Sequence, residues 1–312
     1  MRLCNLLITM KHIIMNKTGL DVSEICLGAD RFGTVYNREQ AFELLDKFRE
    51  VGGNFVDTAN IYARDMQAGF SKSERILGEY LKARGRDSLV IATKGGHPNP
   101  ATMHLPRLNR IEIERDLDES LLSLGLETID IYYLHRDDPS MPIGEILEIL
   151  EEMVRKGKIR FYGASNYTRN RLEESVEYAK NNSLQGFSIV SNMWSPTVEN
   201  IPYSGDDTLV RFNDTELEFF KNTGIAFAPY SSTAKGWFAK KAAGDVPERL
   251  KNVFDNDKNN SLFELLNSRG KPVQTALLEY ICSDELNSGA QIIPVTSVTK
   301  PEQIDDLLKV HA

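Results

Sequence analysis

The chain has 312 residues, of which 41% are hydrophobic and 26% charged, and its formal net charge is −8. This acidic balance argues against a nucleic-acid partner, because such partners are held through their phosphates by basic side chains. The chain also contains no run of about 18 apolar residues that could span a membrane.

The chain opens with the short apolar stretch MRLCNLLITM, residues 1–10. Lys11 and His12 interrupt this stretch and no small-residue cleavage site follows it, unlike in a secretory signal. We interpret residues 1–10 as an N-terminal extension, with Met10 or Met15 as an alternative start.

Three cysteines are present, and they form no C-x-x-C pair and have no histidine at metal-binding spacing: Cys4, Cys26 and Cys282. This pattern indicates neither a disulfide framework nor a zinc site. It favours a reducing compartment, and we predict the cytoplasm.

Residues 11–28 read as a strand, a Lys-Thr-Gly turn and a second strand, which predicts a β-hairpin. From residue 23 onward, short runs rich in Ile, Val, Phe and Tyr alternate with longer helical patterns. Most of these runs lack polar alternation, as is typical of strands buried on both faces. There are eight of them: SEICLG (23–28), NFVDTA (54–59), SLVIATK (88–94), IDIYYLH (129–135), IRFYGAS (159–165), FSIVSN (187–192), IAFAPYS (225–231) and AQIIPVT (290–296).

Amphipathic stretches between the strands, such as residues 37–52 and 109–125, end in Gly after basic or polar residues, as helices often do. Eight strands with at least eight helices predict a (β/α)8 TIM barrel, since right-handed crossovers close naturally at that number. We expect this barrel to form one domain over residues 11–312. Two connections, residues 95–108 and 232–259, are long enough to be functional or mobile.

Polar residues end the second, third and fourth predicted strands, at Asp57, Lys94 and His135. In a parallel barrel these ends meet at one mouth, with Tyr62 on the loop above. A phenol has an ordinary pKa of about 10, which Lys94 can lower, while Asp57 keeps Lys94 charged. His135 can place a substrate carbonyl oxygen against Tyr62. The sequence therefore predicts a general-acid site at this mouth.

Five motifs occur in an order and spacing that resemble the aldo-keto reductase family: VDTANIY, ATKGG, IDIYYLH, GASN and APYSS. The resemblance extends from residue 11 to about residue 309. It implies a barrel that binds a nicotinamide cofactor, NADP(H) and possibly NAD(H), without a Rossmann domain; the chain has no G-x-G-x-x-G motif. By matched position, Asp57, Tyr62, Lys94 and His135 are the catalytic tetrad, and Tyr62 donates the proton as hydride reaches the carbonyl carbon.

The resemblance also implies a set of cofactor-binding residues. This set includes Asp57. Ser165 and Asn166 are expected to hydrogen-bond the carboxamide, and Tyr230 is expected to stack on the nicotinamide ring. Ser191 stands where many relatives have Gln, and Asn192 is expected to replace part of the missing contact. The pyrophosphate and the 2′-phosphate are expected at the remaining positions, which are Ser231, Thr233, Lys235, Ser297, Lys300 and Gln303.

Other polar residues near the predicted mouth have both functional and structural interpretations. His97 and His104 fit no zinc pattern, so solvated loop histidines are the favoured interpretation. We expect Trp194 to line the substrate pocket rather than the core. Four further residues either shape a polar pocket or pair with one another at the barrel rim: Asp30, Arg136, Asp137 and Asp138.

The leading hypothesis is an NAD(P)H-dependent reductase of aldehydes or ketones that acts on a small-molecule carbonyl substrate. Two alternatives remain open: a cofactor-binding regulatory or redox-sensing barrel subunit with little turnover, and a metal-dependent barrel hydrolase. The chain ends at LLKVHA, soon after the eighth predicted helix, whereas many relatives continue over the barrel mouth. From this we expect an open pocket suited to small polar or sugar-like carbonyls. The oligomeric state stays open.

Overall fold

The computed structural model describes residues 10–67, 69–298 and 303–304. Most of the predicted N-terminal extension, together with Lys300 and the LLKVHA ending, lies outside these residues. Within them, no helix combines the length and the apolar character needed to cross a membrane.

The described residues contain the following strands, in chain order: β1 (His12–Ile14), β2 (Asp21–Ser23), β3 (Cys26–Gly28), β4 (Phe55–Asp57), β5 (Arg64–Asp65), β6 (Phe70–Ser71), β7 (Val90–Gly95), β8 (Ile129–Leu134), β9 (Ile159–Ser165), β10 (Ile189–Ser191), β11 (Ala226–Phe227) and β12 (Val295–Thr296). Strands β1 and β2 pair antiparallel, which confirms the predicted hairpin, and β5 and β6 form a second small hairpin.

Eight of these strands form one parallel sheet in the order β11-β10-β9-β8-β7-β4-β3-β12, one from each predicted run. The sheet also closes on itself. The Phe227 amide donates to the Gln291 carbonyl at 2.8 Å, and the Ile293 amide donates back to the Phe227 carbonyl at 2.7 Å. The predicted (β/α)8 barrel is therefore confirmed.

The helices of the described residues are α1 (Arg38–Glu50), α2 (Lys72–Arg84), α3 (Arg110–Leu124), α4 (Ile143–Arg155), α5 (Arg169–Asn181), α6 (Leu217–Thr223), α7 (Trp237–Ala242), α8 (Glu248–Phe254), α9 (Asp257–Asn267), α10 (Val273–Cys282) and α11 (Asp284–Asn287). The local sequence determines where several of these helices begin or end. Asn37 and Gln40 form a reciprocal capping box at the start of α1. Gly125, with a φ of 65°, ends α3 in the left-handed conformation that glycine adopts easily.

The sequence suggested that the connection at residues 232–259 is one long loop, but it is not. It contains α7 and α8 and the start of α9. Instead, the segment between β10 and α6 is a long irregular connection, which no pattern in the sequence predicted.

The N-terminal hairpin covers one end of the barrel. Met15, Leu20 and Val22 are buried in one apolar cluster with Phe55 and Ile189, which are the first residues of β4 and β10. Because these residues begin their strands, the hairpin lies at the amino-terminal end of the barrel. The carboxyl ends of the strands are left to form the mouth.

Candidate active site

Three polar side chains meet at the carboxyl ends of neighbouring strands. Asp57 ends β4, Lys94 lies one residue before the end of β7, and His135 directly follows β8. All three are buried, with 4%, 3% and 7% of their surface exposed, respectively. The Lys94 ammonium donates to Asp57 Oδ1 and, at 2.9 Å, to the Thr58 carbonyl. This pairing fixes the lysine head group at the mouth.

Tyr62 lies above this pair, on the loop that follows β4. Its ring centroid is 5.1 Å from Lys94 Nζ and 5.8 Å from the His135 ring, whose plane is nearly perpendicular. The Ser71 hydroxyl, at the start of α2, donates to the Tyr62 carbonyl at 2.7 Å. The structure thus brings together the four residues that the sequence predicted, and α2 holds the tyrosine loop in place.

Burial and charge set the protonation states of this cluster. Burial acts to lower the pKa of Lys94, but Asp57 and Tyr62 together outweigh it and raise that pKa above its ordinary value. Burial also raises the pKa of Asp57 and of Tyr62, and Lys94 opposes both shifts. The expected effect of Lys94 on the phenol is therefore present, but burial is larger, and Tyr62 stays neutral around pH 7.

His135 is neutral in this environment. Burial lowers its pKa well below the ordinary value, and Arg136, His97 and Lys94 add to the shift. Its Nδ1 is buried and has no hydrogen-bond partner among the described residues. Since a buried N–H without an acceptor costs more than an unused lone pair, we assign the proton to Nε2.

A second polar group surrounds the ends of β9 and β10. Asn166, which has a φ of 61°, donates from Nδ2 to the His135 carbonyl at 3.1 Å and accepts from the Tyr230 hydroxyl at 2.6 Å. The Ser165 hydroxyl donates to the Ser191 carbonyl at 2.7 Å. Tyr230 is therefore tied directly to the residue that follows β9, beside His135.

Ser191 and Asn192 differ in what they can offer a ligand. The Ser191 hydroxyl is buried and has no partner in the described part of the chain. The Asn192 amide accepts from the Asn166 amide at 2.6 Å and donates to the Tyr167 carbonyl at 2.7 Å. Both ends of this amide bond backbone groups, so Asn192 supports the loop that follows β9.

The expected phosphate positions lie on two segments. Ser231, Ala234 and Lys235 have φ angles of 61°, 50° and 55°, which turn the chain sharply ahead of α7. Such left-handed residues without a glycine's freedom are strained, and strain of this kind is concentrated at functional sites. On the other segment, Ser297 donates to Asp30, Gln303 is exposed, and Lys300 lies outside the described residues.

Several rim residues are structural. Asp137 pairs with Arg171 at 3.0 Å, and Asp138 accepts from the Ser140 amide at 3.0 Å. Trp194 is only 1% exposed and its ring packs on Phe227, yet it also lines a cavity of about 340 Å³, so it belongs to both the core and a pocket wall.

Arg136 and His97 remain near the mouth. Arg136 is buried beside His135, donates to the His135 carbonyl at 2.8 Å and lies 3.6 Å from Asp206. His97 is half-buried, with its ring 4.8 Å from the His135 ring, whereas His104 is exposed. The expectation of a solvated loop histidine therefore fails for His97. In the described part of the chain, no three His, Cys, Asp or Glu side chains are grouped to hold a metal ion.

Two cavities flank the mouth. One, of about 340 Å³, adjoins Ser231 and Lys235 and is lined mainly by the long connection after β10. The other, of about 370 Å³, lies between the loops after β4 and β7, with His97, Arg64 and Arg107 in its wall. Neither is lined by the Tyr62 or His135 side chain, so both lie beside the four-residue cluster rather than over it.

Comparison with known proteins points in one direction. The sequence model of the aldo/keto reductase family matches residues 24–312. The chain is 28% identical to norsolorinic acid reductase B of Dothistroma septosporum, over 91% of this chain and 72% of that protein. It is 26% identical to an aryl-alcohol dehydrogenase of Pestalotiopsis microspora, over 94% of this chain and 76% of that protein.

The fold has a solved counterpart. The holo form of an aldo-keto reductase from Bacillus halodurans superposes with a TM-score of 0.73 and covers 97% of this chain and 91% of its own. The two are 21% identical in sequence, so the likeness concerns the fold alone.

Proposed function

The chain belongs to the aldo/keto reductase family, and from this premise we propose that it reduces an aldehyde or ketone to the alcohol with NADPH or NADH. The observation that carries the proposal is the cluster of Asp57, Tyr62, Lys94 and His135 at the barrel mouth. We assign the activity to a single domain, residues 11–312.

The residues at the mouth fit a nicotinamide. Ser165 and Asn166 place polar side chains at the end of β9, and the buried Ser191 hydroxyl beside them has no partner in the described part of the chain and can bind the carboxamide. Tyr230, half-buried and held by Asn166, offers an aromatic face. When bound, a reduced nicotinamide supplies the hydride that reaches the carbonyl carbon.

The protein's own residues handle the proton. Tyr62 holds a proton on its hydroxyl because burial raises its pKa, and it passes that proton to the carbonyl oxygen. Lys94, kept charged by Asp57, stabilises the phenolate that remains until solvent reprotonates it. His135, with its proton on Nε2, donates a hydrogen bond that orients the carbonyl oxygen.

We propose a modest preference for NADPH, with Lys235 and Lys300 as the cations that bind the cofactor phosphates. Support comes from the strained turn at Ser231–Lys235, which is typical of a functional segment. We also propose small polar carbonyls as substrates, because Arg136 and His97 give the mouth polar groups beside His135.

The proposal is tested by following NADPH oxidation with a panel of carbonyl compounds, in parallel with a direct measurement of cofactor binding. Steady oxidation with at least one carbonyl supports a reductase. Tight cofactor binding without oxidation by any member of the panel would instead indicate a regulatory, redox-sensing barrel.

A further inference from the structure

His97 stands between the four-residue cluster and the neighbouring cavity. Its ring meets the His135 ring edge-to-face, with centroids 4.8 Å apart and planes at 72°. It also lines the cavity of about 370 Å³ between the loops after β4 and β7. His97 therefore contacts His135 on one side and lines this cavity on the other.

The loop that carries His97 is anchored from α3. Arg107 donates to the His97 carbonyl at 2.8 Å and to Asp116 Oδ1 at 2.7 Å. The other Asp116 oxygen accepts from the Gly96 amide at 2.9 Å. Because Asp116 is buried on α3, the loop backbone at Gly96 and His97 is held by a rigid element.

The hydrogen bonds of His97 define its tautomer. Nδ1 lies 2.6 Å from the Pro98 carbonyl, which can only accept, so the proton is on Nδ1. Burial lowers the pKa of the ring, and the nearby Arg136 charge adds to this, so the imidazole is neutral. Its Nε2 has no partner among the described residues and is left with a lone pair that accepts a hydrogen bond.

The two neighbouring rings thus carry opposite hydrogen-bonding groups, a donor on His135 and an acceptor on His97. A hydroxyl on the carbon next to a carbonyl presents the matching pair, an accepting carbonyl oxygen and a donating hydroxyl. We propose that His97 binds this hydroxyl and makes the enzyme selective for α-hydroxy aldehydes and ketones. This inference rests on the proposed reductase function and names the substrate class of that same site.

The test compares two aldehydes that differ by one hydroxyl, lactaldehyde and propanal, and measures the ratio of their kcat/KM values. His97→Phe keeps an aromatic ring against His135 but has no nitrogen. His97→Asn keeps an amide where Nδ1 bonds Pro98 and removes the Nε2 position, whereas His97→Gln restores a polar group near Nε2. The Asn and Gln variants are thus a matched pair, and circular dichroism verifies that each variant folds.

We expect the lactaldehyde-to-propanal ratio to fall about tenfold in His97→Phe and His97→Asn, the size of one lost hydrogen bond, and to be largely kept in His97→Gln. An unchanged ratio in the Phe and Asn variants, or an equal loss in Gln and Asn, overturns the proposal. If the wild type reduces neither aldehyde nor any other carbonyl, the proposed function itself fails; active wild type with an unaltered ratio refutes only the role of His97.

Discussion

Glu74 is a buried carboxylic acid next to the site, and its titration should be visible in the stability of the protein. It lies on α2 and is fully buried, and its Oε1 accepts from the Thr93 hydroxyl at 2.6 Å, one residue before Lys94. Its Oε2 has no partner among the described residues. Burial raises its pKa from 4.5 to about 7; the hydrogen bond from Thr93, the neighbouring Ser120 hydroxyl and the charge of Arg64 oppose the shift, and Asp116 adds to it.

The sign and size of the effect follow from proton linkage. Because the folded protein holds the Glu74 proton more tightly than the unfolded chain, this group's contribution to stability is complete below about pH 4.5 and is lost as the pH rises through about 7. Between pH 5 and 8 the loss is about 2.5 kcal/mol. Glu74→Gln keeps the shape and the acceptor for Thr93 but cannot ionise. Its free energy of unfolding, relative to that of the wild type, should therefore rise by about 2.5 kcal/mol between pH 5 and pH 8.

The assay is urea unfolding of the wild type and Glu74→Gln at pH 5 and pH 8. Glu43→Gln, which removes an exposed carboxylate from α1, controls for the loss of one charge. The reasoning is refuted if the difference in free energy of unfolding between Glu74→Gln and the wild type is the same at both pH values, or if Glu43→Gln shows the same change.

Three further substitutions test separate parts of the structure. Asn192→Ala should lower the free energy of unfolding by about 2 kcal/mol or more, because it leaves buried backbone groups of residues 166 and 167 unpaired; urea unfolding measures this. Gly163→Ala should cost about 1–3 kcal/mol in the same assay, because a Cβ there lies 2.4 Å from the Ile189 carbonyl oxygen. Lys300→Ala should narrow the ratio of the NADH and NADPH dissociation constants, measured by fluorescence titration; an unchanged ratio would assign the phosphate contact elsewhere.

The barrel could be predicted because its strands are buried on both faces, which makes each a short continuous apolar run. The same logic placed Asp57, Lys94 and His135 together, since parallel strands carry their final residues to one mouth. The sequence did not predict α7 and α8, which have only 6 and 7 residues. Helices this short carry too few turns for a clear apolar period.

Tertiary contacts explain what the sequence left open at the site. Nothing in the spacing of the Pro-rich loop shows that His97 reaches His135, because the loop is positioned by Arg107 and Asp116 from another element. Trp194 follows a strand end, as a pocket residue would, yet the ring turns onto Phe227 and is buried. The position of a residue in the sequence therefore predicts the path of its backbone more reliably than the direction of its side chain.

The central claim, that Tyr62 donates the proton, is tested most directly by Tyr62→Phe. This change removes the hydroxyl and keeps the ring that contacts His135. We predict that the variant binds NADPH as the wild type does, while kcat for carbonyl reduction falls about 10²- to 10⁴-fold, as expected on loss of a positioned general acid. Turnover close to that of the wild type, with the cofactor still bound, would contradict the mechanism.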